Sequence, residues 1–412
     1  MSMAKWRDCK LGDLLQIKHG FAFLGEHFGS TGTHVVLTPG NFLEEGGFKE
    51  NDQKAKWYNG PIPEDYVLNK GDLLVAMTEQ AEGLLGSSAI IPRSGVYLHN
   101  QRLGLVQILD PKHADQHFCY YLFNSKPVRQ QIRGSASGTK IRHTAPTRIA
   151  DVKVRVPSFP VQRRIAGILS AYDDLIENSQ RRIKILEAMT RALYREWFVH
   201  FRFPGHENHP RVASQLGKIP QGWKVKKLGD LITYKRHATK SGMHLEGRRY
   251  VPIDCLPSKS LALLEARPIE EAQSSLQLFE KGDILFGAMR PYFHKVVVAP
   301  FFGVTRTTCF VFKPVRPESH AFATMTAFDD ATVAYANTHS QGATIPYAVW
   351  DGSLSEMPLV FPSTEVLQQF EAIVAPMLSL LAQSFFALSN LRRTRDLLLP
   401  RLLSAQIDVQ AT

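Results

Sequence analysis

Cysteine is scarce in this sequence. Cys9, Cys119, Cys255 and Cys309 are the only four in 412 residues, and no two form a C-x-x-C pair. That spacing excludes a disulfide framework or a zinc knuckle and fits a reducing cytosol, so a cytoplasmic location is expected. Catalytic signatures are missing too. There is no G-x-x-x-x-G-K-[ST] loop, no D/N-P-P-Y/F methyltransferase motif and no carboxylate-rich nuclease cluster. The chain is therefore expected to be non-catalytic. His200, His206 and His209 have no fourth ligand at zinc spacing, and Pro204 and Pro210 mark a loop around them, so no metal site is expected. The opening "MSMAKWRDCKLG" has no apolar core, and no signal peptide is expected.

Acidic residues are outnumbered. Asp and Glu total 38 against 49 Lys and Arg, a formal charge of +11 with a pI near 9.4. Such a balance suggests a polyanionic partner, nucleic acid first among them, although a merely basic surface gives the same numbers. With 44% apolar residues the chain can bury real cores, and its length suits two or three domains.

The sequence also repeats itself. "KWRDCKLGDLL" at Lys5 is answered by "GWKVKKLGDLI" at Gly222, and "NKGDLLVAM" at Asn69 by "EKGDILFGAM" at Glu280. "SASGTKIRHT" at Ser135 is answered by "HSQGATIPYA" at His339, and "VRVPSFPVQRRIAGIL" at Val154 by "LVFPSTEVLQQFEAIV" at Leu359. Four matches in one order indicate an internal duplication. Each half opens with short segments rich in β-branched and aromatic residues, bounded by Gly and Pro, which reads as a mostly β domain.

Each half then changes to a helical period. Ile165, Tyr172, Ser179, Leu186 and Leu193 recur by sevens; Leu169, Ile176, Ile183, Thr190 and Trp197 recur likewise, offset by four. In the second half Phe370, Met377, Ser384, Leu391 and Leu398 form one stripe, and Val374, Leu381, Leu388, Arg395 and Leu402 the other. Two such stripes predict a coiled-coil seam. Its pairing residues would be Ile165, Leu169, Tyr172, Ile176, Ile183, Leu186 and Leu193 against Phe370, Val374, Met377, Leu381, Leu388, Leu391 and Leu398. The uncharged run Ala372–Leu391 is about 20 residues long, enough to span a bilayer. Its repeat partner is charged, which favours a buried helix over a membrane span. Phe385 and Phe386 on its outer side would need a further cover. Pro376 is expected to kink this helix or mark its start, and Pro400 its end.

The fold expected is α+β: two β-rich globular domains separated by a pair of long antiparallel helices. The boundaries read as 1–155, first domain; 156–202, central helix; 203–360, second domain; 361–412, C-terminal helix. A helix of roughly 40 residues is about 60 Å long. Two domains held apart on such rods suit a split DNA site, since successive major grooves lie about 34 Å apart on one face.

This order resembles the specificity subunit of type I restriction-modification systems. "REWFVHFRFPGHENHPR", followed by "LGKIPQGWKVKKLGDL", is similar to that family's join between central helix and second recognition domain. "KGDLLVAM", "LHNQRLGLVQI" and "SGTKIRHTAPTRIADVKVRVPSFPVQRRIAGIL" resemble its recognition domains and helix entries. The second half departs most at its helix entry, "PSTEVLQQF". The resemblance implies that each recognition domain reads one half of a bipartite target in double-stranded DNA and that the helices fix the spacer. It implies two methyltransferase subunits, using S-adenosylmethionine, bound along the helices. It also implies restriction subunits with ATP- and Mg-dependent translocation and nuclease activity, and no cofactor in this chain. A coiled-coil scaffold with β-rich protein-binding heads remains the alternative reading of the residues alone.

Candidate DNA contacts follow from residue chemistry. In "SASGTKIR", Gly138 and Thr139 can bring backbone N–H groups to a phosphate, while Lys140 and Arg142 supply charge; a plain β-turn is the competing reading. Gln341, Gly342 and Thr344 hold the matching place without Lys or Arg, which makes a structural turn the stronger reading there. Gln101, Arg102, Arg290, Tyr292, Arg306 and Thr308 follow strands at matching places, and Arg and Gln suit bidentate pairing to guanine and adenine. Lys235 and Arg236 belong to a basic cluster, "YKRHATK", with Arg248 and Arg249. What the halves share should be scaffold. Where they differ, mainly 15–68, 79–134, 233–278 and 287–338, different bases should be read.

Overall fold

Apolar runs bounded by turn residues become sheet strands in both halves, and the heptad stripes become two long helices. The computed structural model describes residues 6–50, 55–80 and 82–409. The chain divides into two compact units: residues up to Asp174 together with those from Arg393 onward, and Leu175–Arg392.

Unit 1 is built on a four-stranded antiparallel sheet. Leu103–Ile108 lies between Leu15–His19 and Leu73–Ala76, and Ser88–Ile90 flanks the latter. All four residues of Leu73–Ala76 are buried, because both faces of this strand are covered. Leu73 and Val75 pack with Phe118, Leu122, Val128 and Ile132 of two short helices. Leu74 and Ala76 face Val35, Leu37 and Tyr97. Strand Arg7–Lys10 pairs with Lys153–Val156, just ahead of the first long helix.

Unit 2 carries the same strand order. Cys309–Pro314 lies between Ile232–Tyr234 and Ile284–Gly287, and Val296–Val298 flanks the latter. Lys224–Lys227 pairs with Pro358–Phe361, ahead of the second long helix.

The first long helix runs over Phe159–Tyr194 and closes in a π-helical turn, Arg195–Val199. The second runs over Thr364–Leu403. Within unit 2, the rings of Trp197 and Phe370 lie 5.7 Å apart, and Thr190 Oγ1 is 3.9 Å from the Met377 sulfur. A step of seven back along one helix matches seven forward along the other, so the pair is antiparallel. Ile176, Ile183, Val374, Leu381 and Leu388 share the unit 2 core, with Leu186, Leu193 and Leu391 against it. Within unit 1, Ile165 and Leu169 share a core with Leu402, and Leu398 packs on it. There Arg395 reaches Asp173 at 2.9 Å, and Tyr121 donates to the other Asp173 oxygen at 2.6 Å. Burial works against a charged Arg395, but Asp173 and Asp396 outweigh it and hold the guanidinium protonated. Tyr172 and Met377 are half-buried. Ser179 and Ser384, on corresponding stripes of the two helices, satisfy their hydroxyls on Leu175 and Leu380 of their own helices.

Two expectations need correction. Pro376 does not mark the start of the second helix, which begins at Thr364 and continues through it. Phe385 needs no outside cover, being 1% exposed with Phe301 of its own unit packed on it at 4.9 Å, whereas Phe386 is 41% exposed as expected. The last turns of the second helix, from Arg393, group with unit 1. By length and composition Thr364–Leu403 could cross a membrane, yet Phe370, Val374, Leu378, Leu381, Phe385 and Leu388 along it are buried in protein.

Candidate nucleic-acid interface

The "SASGTKIRHT" segment forms a tight hairpin. Ser137 and His143 exchange backbone hydrogen bonds of 3.0 and 2.8 Å, enclosing the loop from Gly138 to Arg142. Gly138 sits at φ +96°, and a Cβ there would lie 2.1 Å from the Ile141 carbonyl oxygen, so only glycine fits. The second half builds the same device. Gln341 and Tyr347 exchange bonds of 2.9 and 2.8 Å, Gly342 has φ +96°, and its Cβ would meet the Ile345 carbonyl oxygen at 2.7 Å.

Both hairpins dock by one backbone lattice. In unit 1, Thr144 N–H donates to the Met77 carbonyl (2.9 Å) and Met77 N–H to that of Arg102 (3.0 Å). In unit 2, Ala348 N–H donates to the Ala288 carbonyl (2.8 Å) and Ala288 N–H to that of Thr308 (2.9 Å). Arg102 thus corresponds to Thr308, and Gln101 to Thr307. The residues two positions after the lattice points Met77 and Ala288 are Glu79 and Arg290.

The side chains on this lattice differ. In unit 1, Gln101, Arg102, Thr139, Lys140 and Arg142 are exposed. Among the described residues no carboxylate forms an ion pair with Arg102, Lys140 or Arg142, so their charge faces solvent. In unit 2, Gln341 and Thr344 are exposed, as are Arg306 and Tyr292. Arg290 adopts φ +52°, its N–H bonded to the Pro346 carbonyl at 2.7 Å and its Nε buried without a partner. A non-glycine residue held there is strained, and such strain gathers at functional positions. The Thr308 hydroxyl is buried instead, so this residue shapes the turn and presents no donor outward.

Lys235 and Arg236 are not free cations. Lys235 is only 14% exposed, with Glu280 at 3.0 Å and Asp283 at 3.9 Å. Arg236 pairs with Asp351 and lies over the Tyr234 ring. Both are spent within unit 2. His206 and His209 pack edge-on against Phe203, and among the described residues no group of three or more metal-ligating side chains comes together. Burial pushes Cys119 and Cys309 up to about 12 and Cys255 up to about 11, so no thiolate forms there at neutral pH.

Two supporting residues are invisible to motif reading. Buried Glu79 accepts N–H bonds from Gly83, Leu84 and Leu85 at 3.1, 3.1 and 2.9 Å, with Arg133 at 3.5 Å. Arg148 pins the hairpin base through the Ser135 carbonyl (2.9 Å) and the Ser137 hydroxyl (3.2 Å). Both partnerships join distant or loop positions that carry no spacing signal.

Comparisons with known proteins agree with this geometry. Residues 3–188 match the family model described as the type I restriction modification DNA specificity domain. The MjaIX type I restriction enzyme specificity subunit of Methanocaldococcus jannaschii is 25% identical over 71% of this chain and 69% of its own length. The MjaVIII specificity subunit of that organism is 25% identical over 41% of this chain and 37% of its own. The crystal structure of a type I restriction-modification S subunit from M. genitalium has the same fold, with a TM-score of 0.62 and 16% identity over 99% of this chain and 97% of that one. Over residues 3–188 the chain is thus similar to the type I restriction modification DNA specificity domain, and the relatives it matches are named specificity subunits of type I restriction enzymes.

Proposed function

We propose that each unit reads one half of a bipartite duplex target with the ridge formed by its Gly-Ile hairpin and the adjoining turn. The paired long helices set the spacer between the half-sites and carry two methyltransferase subunits. The observation that supports this is the shared lattice with unlike side chains: Arg102 against Thr308, Lys140 against Thr344, Arg142 against Pro346. One scaffold offering two chemistries suits two unlike half-sites. The contacts assigned to unit 1 are Gln101, Arg102, Thr139, Lys140 and Arg142, with Gly138 setting the turn. Those assigned to unit 2 are Arg290, Tyr292, Arg306, Gln341 and Thr344, with Gly342 in the matching role. The chain itself turns nothing over. S-adenosylmethionine belongs to the methyltransferase subunits, ATP and Mg to restriction subunits, and all work in the cytoplasm.

The test is co-expression with a methyltransferase subunit of the same genome and mapping of methylated adenines. Methylation at one split motif is expected, with affinity for that duplex falling steeply as salt rises. Absence of any motif, with weak and salt-insensitive duplex binding, would favour a protein-binding scaffold.

A further inference from the structure

The two hairpin loops agree at only two of five positions. Gly138 and Gly342 are required by the backbone. Ile141 and Ile345 are not: the carbonyl that closes onto the glycine belongs to any residue, yet the side chain is isoleucine both times. These side chains stand in solvent, with residue exposures of 42% and 48%. The loops around them are held by paired backbone bonds, and in unit 1 also by Arg148. The exposure therefore belongs to an ordered structure. Cations flank each tip: Lys140 and Arg142 in sequence around Ile141, and Arg290, bonded through its N–H to Pro346, beside Ile345.

An apolar side chain fixed among cations that form no ion pair among the described residues, on an interface for DNA, has few suitable targets. The duplex offers apolar surface at thymine methyl groups and at base faces where a step opens. We infer that Ile141 and Ile345 are a matched pair of apolar probes, pressed against the bases of their half-sites while the neighbouring cations hold the phosphates. A β-branched residue suits this because its side chain has little rotamer freedom to lose. The inference rests on the DNA-reading function proposed above and adds a contact shared by both half-sites.

The test uses the full chain assembled with its methyltransferase subunits and the duplex mapped by methylation. Ile141→Ala and Ile345→Ala are each expected to weaken binding about fivefold, with the salt slope unchanged because no phosphate contact is lost. Ile→Val at either place should restore most of the affinity. Uracil in place of thymine removes the effect of the alanine variant if the contact is a methyl group. A 2-aminopurine signal raised by the unaltered complex and not by the variant marks an opened step. Alanine variants that bind within twofold of the original overturn the inference. So does a fall in melting temperature in the alanine variants, which would assign the side chains to the fold. Failure of the unaltered complex to methylate or prefer any motif counts instead against the DNA-reading function.

Discussion

Glu187 tests how firmly a long helix is joined to its recognition domain. Its carboxylate is buried in unit 2 at the end of three hydrogen bonds: from the Ser260 hydroxyl at 2.6 Å, Leu261 N–H at 2.8 Å and Ala262 N–H at 3.1 Å. Leu261 and Ala262 lie along Val298 of the sheet edge, so this one oxygen ties the helix to the sheet. Glu187→Ala leaves two backbone N–H groups buried without acceptors. Each such orphan costs about 1–3 kcal/mol, and the charged acceptor adds to the loss. About 4 kcal/mol is expected, out of about 5–15 kcal/mol for a whole domain. For a unit of this size that lowers the melting temperature by roughly 8–16 °C. Glu187→Gln keeps an amide oxygen in place and should recover about half of the loss. Calorimetry on the full chain is the assay, and the unit 2 transition alone should move. A loss under about 1 kcal/mol, or an equal fall in unit 1, would refute the reasoning.

Gly138→Ala forces a methyl group to within 2.1 Å of the Ile141 carbonyl, so the first half-site should be lost in methylation mapping while the second survives; Gly342→Ala should do the converse. Exchanging residues 1–155 for another member's first domain should change one half-site only, read by the same mapping. Lys140→Ala should reduce the slope of log affinity against log salt by about one, measured by duplex titration. Burial, with Lys18 and His19 nearby, holds His99 down at about 4, its Nε2 2.9 Å from the Leu103 carbonyl. The unfolded chain takes up this proton near pH 6.5, so stability falls as pH drops from 6.5 towards 4, by about 3 kcal/mol in all. Urea unfolding across that window should lose this acid limb in His99→Gln.

Helical period was the most legible feature. Ile165, Leu169, Ile176, Ile183, Phe370, Val374, Leu381 and Leu388 are buried as their spacing implies, because a seam repeats along the chain and needs no distant information. Leu378 and Phe385 were not legible, since what buries them is the domain packed beside the seam. Pro376 does not start the helix, because local propensity yields there to tertiary packing that sustains it. In the site, the glycine turns could be read from sequence: a backbone at φ +96° leaves its mark on residue type. Lys235 looked like an available cation because its partners, Glu280 and Asp283, are remote in sequence. Thr308 looked like a donor, and only the folded chain buries its hydroxyl.

If the lattice reads DNA as proposed, the matched slot of Glu79 and Arg290 gives a reason why it can serve two sequences. In unit 1 the slot holds a buried carboxylate that turns inward, caps the N–H groups of Gly83, Leu84 and Leu85 and draws in Arg133. The loop after it is thereby fixed, and under the proposed function reading falls to the neighbouring cations. In unit 2 the slot holds a guanidinium on a strained backbone, its Nε unpartnered. No cluster of N–H groups could satisfy a cation there, so the side chain has no inward role equivalent to that of Glu79. Under the proposed function, a change of one residue at a fixed backbone position moves the slot from supporting a loop to contacting DNA. The backbone hydrogen bonds on either side are untouched, because Met77 and Ala288 make the same bonds. Diversity in what is read can accumulate at such slots without altering the sheet beneath or the helices that join the units.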